Sequence, residues 1–251
     1  QINKEKSREV ISFFEGISDA MILLVEKVMH IAPYAVFTLI AATVAEFGFG
    51  IVKTLLWYSL TVIAGLTVLT FVEYPLLLKL FTKVKIKDFF VVQKQVLAVA
   101  FSTSSSAATL PVTMDVCEKK LGVPNKIASF VLPLGTTVNM DGTALYQAVA
   151  AMFIAQVYGF DLNLSQQLTI VLTAALAAVG TAPVPGVGLI MLIIVLRSVG
   201  IPEEGIALII GVDRLLDMCR TIPNVLADSL ACVVIASSEK ELGKINLSES
   251  E

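Results

Sequence analysis

The chain has 251 residues, 56% of them hydrophobic and 16% charged, with a mean hydropathy of +0.84. A soluble domain carries about 25% charged residues, so this composition excludes an ordinary soluble protein and puts the chain in lipid. The net charge of −3 comes without a basic patch and excludes nucleic acid as a partner.

The opening residues, QINKEKSREV, are charged and amphipathic, without the apolar core of a signal peptide, and read as the continuation of a longer polypeptide. Residues 10–45 form a mostly apolar helical unit that Pro33 should kink or break. His30, the single histidine, reads as a packing residue beside that kink rather than a proton relay. Residues 52–78 are a full-length span, and Trp57 and Tyr58 at its start read as interfacial anchors. A polar loop with Lys79, Lys83, Lys85, Lys87 and Asp88 follows.

Residues 88–122 contain two apolar arms around the run STSSSAATLP at 102–111. Neither arm can span a bilayer alone, which predicts a re-entrant hairpin with a serine-rich tip at membrane depth. Lysines flank both ends (Lys79 to Lys87, then Lys119, Lys120 and Lys126), placing both in the cytoplasm, as a hairpin requires. Residues 125–158 form a span broken within LPLGTTVNMDGTALYQ at 132–147. Residues 163–198 form a second pair of half-length arms around GTAPVPGVG at 180–188. Its acidic flanks, Asp161, Glu203 and Glu204 against a single Arg197, open it from the external side. Cys117, Cys219 and Cys232, odd in number and in or beside apolar runs, read as packing residues.

The last long unit, 203–238, is apolar except for Asp213, Asp217, Arg220, Thr221, Asn224 and Asp228, which recur at about one helical turn. Such a column shares one helix face. Buried charge in a membrane is costly and marks a substrate or ion path. The tail with Lys240 and Lys244 returns to the cytoplasm, and LSESE is a solvated terminus. The expected fold is therefore an all-α polytopic membrane protein with an inverted repeat: two oppositely entering hairpins, an unwound helix and a polar helix.

The residue chemistry suits cations and an anionic cargo. In NMDGT the small residues let a helix unwind and free its carbonyls, and Asn139 and Asp141 supply side-chain oxygens for a hard cation. The alternative is that both merely cap a helix break. Arg220 offers a planar fork for a carboxylate, or alternatively only neutralises Asp213 and Asp217. An intramembrane aspartyl protease pairing Asp141 with Asp217 is a further class. It needs two carboxylates without a strong cation between them, and Arg220 keeps both ionised. The chain is expected not to be an enzyme; a passive anion leak is compatible with the transporter reading.

STSSSAATLPVT at 102–113, LPLGTTVNMDGTALYQ at 132–147, GTAPVPGVG at 180–188 and DRLLDMCRTIPNVLADS at 213–229 resemble, in order and spacing, the signatures of the sodium-coupled dicarboxylate and glutamate transporters. The resemblance implies an elevator-type transporter in a homotrimer, with residues 1–87 on the scaffold side and 88–251 as the moving transport core. It implies about three sodium ions. One is held by Asp228 with Gly135, Asn139 and Asn224, and a second by Asn139 and Asp141. The third lies between Thr137 and Met140 and the segment Ala178, Val179, Thr181. It also implies that Arg220 binds the side-chain carboxylate of aspartate or glutamate and Asp217 the amino group. Asn224, Thr143 and the main chain of Ser104, Ser105 and Ser106 hold the α-carboxylate, and Thr221 orients the ligand. Val184 and Gly188 belong to the external gate, where Pro183 replaces a usual glycine. Ser104 stands where some relatives have arginine, which leaves Arg220 as the only guanidinium near the cargo. A carrier of C4-dicarboxylates lacking the amino group is the runner-up. The implied setting is the plasma membrane, multi-pass, with a cytoplasmic C-terminus.

Overall fold

The structure, a computed structural model, describes residues 30–247 and, ahead of them, residues 12, 13, 16, 17, 20, 23, 24 and 27. Expectations for most of residues 1–29, and for the tail after Leu247, lie outside the described residues. The described residues contain helices and loops and no strand.

Helix α1 spans Ala32–Phe47 with Pro33 in its first turn, where a missing N–H leaves no bond unmade. Helix α2 spans Gly50–Phe81 and widens into a π turn at Leu69–Glu73, just ahead of Pro75. A proline cannot donate to the carbonyl four residues back, and the widened turn absorbs that loss. Then come α3 (Ile86–Val92), α4 (Lys94–Thr103) and α5 (Ser106–Asp115), the last continuing as a π turn to Lys120. Helices α6 (Asn125–Val138) and α7 (Asp141–Val157) are separated by Asn139 and Met140 alone, a shorter break than the 132–147 run suggests. Helices α8 (Leu164–Val179) and α9 (Val187–Ser198) form a second helix pair, and α10 (Ile206–Ser238) closes the fold.

Local signals explain the boundaries. Ser104 adopts a left-handed conformation, φ 52°, that ends α4, and Ser105 caps α5 by accepting from the Ala108 amide at 3.1 Å. Asn163 and Gln166 form a reciprocal capping box that starts α8.

Two apolar cores divide the molecule. One gathers the end of α2, helices α3 to α6 and the second half of α10, around Leu78, Phe89, Leu132 and Val233. The other gathers the start of α2, helices α7 to α9 and the first half of α10, around Val62, Ile154, Leu192 and Leu208. The polar residues of α10 from Asp217 to Asn224 lie between the two, as does the α6–α7 break. The exterior is apolar as well: Phe130 is 70% and Leu176 74% exposed, which suits lipid as the surrounding solvent. Trp57 also faces outward, but Tyr58 does not anchor an interface. Helix α2 begins at Gly50, so Tyr58 sits two turns inside it, buried and stacked on Phe153 with ring centroids 4.7 Å apart.

Candidate functional site

Helix α10 is on the order of 50 Å long and carries the polar column inward: Asp213, Asp217, Arg220, Thr221, Asn224 and Asp228 are each 6% exposed or less. Arg220 Nη1 lies 3.2 Å from Asp213 Oδ1, and Nη2 lies 2.9 Å from Asp217 Oδ1. Its guanidinium carbon sits 4.2 Å from the centroid of the Tyr146 ring, a cation–π contact that strengthens when desolvated. Gly188 gives the guanidinium its room, because a Cβ there would stand 2.8 Å from Nη2. Asn224 Nδ2 donates to Thr143 Oγ1 at 3.0 Å, and its Oδ1 accepts from the Gly142 amide at 2.9 Å, so one side chain joins α10 to α7. Thr221 Oγ1 donates to the Asp217 carbonyl one turn back.

The two helix pairs point their tips at this column. Ser105 Oγ donates to the Pro183 carbonyl at 2.8 Å, and the Gly186 amide donates to Asp217 Oδ2 at 2.8 Å. Between the tips lies a cavity of about 20 Å³ lined by Ser104, Ser106, Thr143, Val184, Gly188, Asp217, Arg220, Thr221 and Asn224. A space of that size holds about one water, so any larger ligand requires a tip to move. Every expected cargo residue lines this cavity except Ser105, which is engaged with Pro183.

Of the expected cation ligands, Met140, Thr181 and Asn224 line the same cavity. Asn139 Nδ2 donates to Asp228 Oδ1 at 3.0 Å, and a Cβ on Gly135 would stand 2.6 Å from that oxygen, so Gly135, Asn139 and Asp228 form one cluster. Asp141 accepts from the Tyr74 hydroxyl at 2.8 Å through Oδ2, while its buried Oδ1 has no partner. The hydroxyl of Thr137 bonds back to the Leu134 carbonyl, the Val179 side chain is exposed, and the Ala178 carbonyl accepts from the Thr181 amide. These three could contribute through main-chain oxygens alone. Neither Asp141 nor Asp228 has a basic partner within ion-pair distance among the described residues. A buried carboxylate without a counter-charge is costly, and oxygen clusters of this kind suit a small hard cation.

Three residues of this region, Arg214, Tyr74 and Gln147, are not among the expected site residues. Arg214 Nη1 lies 2.5 Å from Ser104 Oγ and 3.9 Å from Asp217 Oδ2, so Arg220 is not the only guanidinium near the site. Tyr74 looks like one more span residue, yet it also donates to the Pro223 carbonyl at 3.2 Å. Gln147 is fully buried and donates to the Gly188 carbonyl at 3.0 Å. An isolated polar or amphipathic residue inside an apolar run is the signal that could have flagged Tyr74 and Gln147.

The sequence profile of the sodium:dicarboxylate symporter family matches residues 1–238. The chain belongs to that family. Among similar proteins, the proton/sodium-glutamate symport protein of Bacillus subtilis is 41% identical over 247 residues, covering 98% of this chain and 56% of that protein. Excitatory amino acid transporter 1 of Mus musculus is 44% identical over 234 residues, covering 92% of this chain and 43% of that protein. Excitatory amino acid transporter 3 of the same species is 42% identical over 246 residues, covering 97% and 47%. The chain thus spans about half the length of the relatives it matches. Membership in a symporter family removes the protease alternative, and the geometry agrees: Asp141 is bonded to Tyr74 and Asp217 to Arg220 and Gly186, each in its own setting.

Proposed function

We propose that the protein to which this chain belongs is a secondary symporter that couples a sodium gradient to the uptake of acidic amino acids, L-aspartate or L-glutamate. The observation that carries this reading is Arg220, buried behind two closed tips and paired to carboxylates that a cargo can replace, next to Asp141 and Asp228, which have no basic partner among the described residues. The cargo's side-chain carboxylate takes the Arg220 fork, its amino group takes Asp217, and its α-carboxylate meets Asn224, Thr143 and the Ser104–Ser106 main chain. Asp228 with Asn139 and Gly135, and Asp141 with Asn139, hold two sodium ions. A third lies toward Thr137, Met140 and the Ala178–Thr181 segment.

The names of the bacterial and mammalian relatives support a glutamate-type cargo. The bacterial name leaves proton coupling as the second reading for the driving ion. In this account the helix pairs α4–α5 and α8–α9 are re-entrant hairpins, and residues 88–251 move as a transport core against a scaffold that includes residues 1–87. The assembly is a homotrimer in the plasma membrane with a cytoplasmic C-terminus. Cargo and cations both favour the closed tips, and that shared preference is the coupling free energy.

Sodium-dependent binding of L-aspartate and of succinate to the full-length protein, with and without Asp217→Ala, tests the cargo. Loss of L-aspartate binding in the variant with succinate unaffected supports an amino-acid carrier. Equal succinate and L-aspartate binding, both indifferent to Asp217, would make it a C4-dicarboxylate carrier.

A further inference from the structure

Among the described residues, the hydrogen bonds between the two tips end on one carbonyl. Pro183 O accepts from Ser105 Oγ at 2.8 Å and from the Ala107 amide at 3.3 Å, so both bonds from the first tip end on the same atom of the second. Around that carbonyl the chain folds tightly, with the Val184 amide donating to the Ala182 carbonyl at 2.8 Å across Pro183. This is a three-residue turn. Its favoured form needs a central φ near about −75° and its strained mirror form a positive φ; the pyrrolidine ring allows only the former. Pro185 follows Val184, and a residue preceding proline is confined to extended backbone, which restricts Ala182 and Val184 as well. The turn that aims the Pro183 carbonyl is therefore built before the tips meet, and Ser105 and Ala107 supply donors on a helix start that Ser105 itself caps.

We propose that Pro183 is a preset latch: a positioning residue that fixes its carbonyl as the shared acceptor for Ser105 and Ala107 and so biases the second tip toward the closed position before cargo arrives. A flexible residue here would have to lose backbone freedom each time the tip closed. The role of the tip as a gate rests on the transporter reading above; the geometry of the latch does not.

Hydrogen exchange of the Ala107, Val184 and Gly186 amides in the full-length protein, without cargo, tests the latch. Pro183→Gly should speed exchange at these amides by about fivefold, and Pro183→Ala, which keeps φ more restricted than glycine does, by less. Ser105→Ala should also speed them, and the double variant Pro183→Gly/Ser105→Ala should show less than the product of the two single effects, because both act on one contact. The α7 core amides of Ala150 and Ala151 should be unchanged in all of them. Tip exchange equal to wild type in both Pro183 variants, or single effects that simply multiply, would overturn the latch. Adding sodium and L-aspartate to wild type should suppress tip exchange further. If it does not, the cargo assignment fails, while the cargo-free comparison still decides the latch.

Discussion

Asn139 donates from Nδ2 to Asp228 Oδ1 across 3.0 Å, tying the break between α6 and α7 to the polar column of α10. The bond explains how a helix can stop and restart between two apolar cores. The residue whose backbone leaves the helix is also the one whose side chain meets the buried carboxylate. It orients Asp228 and supplies no positive charge to it.

Replacing Asp228 with Asn keeps the size of the side chain and removes that charge. The sodium concentration that half-saturates L-aspartate binding should rise at least about tenfold, equivalent to 1.4 kcal/mol. A sodium titration of cargo binding checks this, and an unchanged midpoint would remove Asp228 from the cation site.

Gly188 is tested by the smallest possible addition. A Cβ there would stand 2.8 Å from Arg220 Nη2, 3.0 Å from Cζ and 3.1 Å from Thr143 Cγ2, so Gly188→Ala must push the guanidinium off its position. L-Aspartate affinity should fall by about tenfold or more, and the Tm should fall as well, because the displaced guanidinium is buried between the two cores and paired with Asp213 and Asp217. Calorimetric titration beside a melting curve separates the two effects.

Tyr74→Phe removes the hydroxyl that donates to Asp141 and to the Pro223 carbonyl and leaves a buried carboxylate with less satisfaction. The expected cost is about 1–3 kcal/mol, seen as a lower apparent Tm without sodium. Added sodium should restore part of it, since a cation bound only by the folded state stabilises by mass action. A Tm loss that sodium does not touch would separate Asp141 from cation binding.

Much of this arrangement is legible in the sequence because membrane burial makes polar residues conspicuous. The helix interruptions at Ser104–Ser105, at Asn139–Met140 and between Val179 and Val187 coincide with serine, Asn/Asp and glycine–proline runs inside apolar segments. The α10 column stands out by its turn spacing. What is hidden has physical reasons. Arg214 is one residue past Asp213, and so off the face of the column, but its long side chain reaches back to Ser104 and Asp217. The Pro183 carbonyl is a backbone group and has no side-chain signature. Tyr58 turns inward because it shares the buried face of α2 with Ile51, Leu55, Val62 and Leu66, while Trp57 next to it lies on the outer face.

The most direct measurement is uptake of labelled L-aspartate into proteoliposomes containing the full-length protein, driven by a sodium gradient, in wild type and in Arg220→Ala. The account predicts sodium-dependent uptake that is lost in the variant, with a neutral amino acid gaining relative to aspartate because the carboxylate fork is gone. Undiminished aspartate uptake without Arg220 would contradict the assigned cargo site, and uptake indifferent to sodium would contradict the assigned coupling ion.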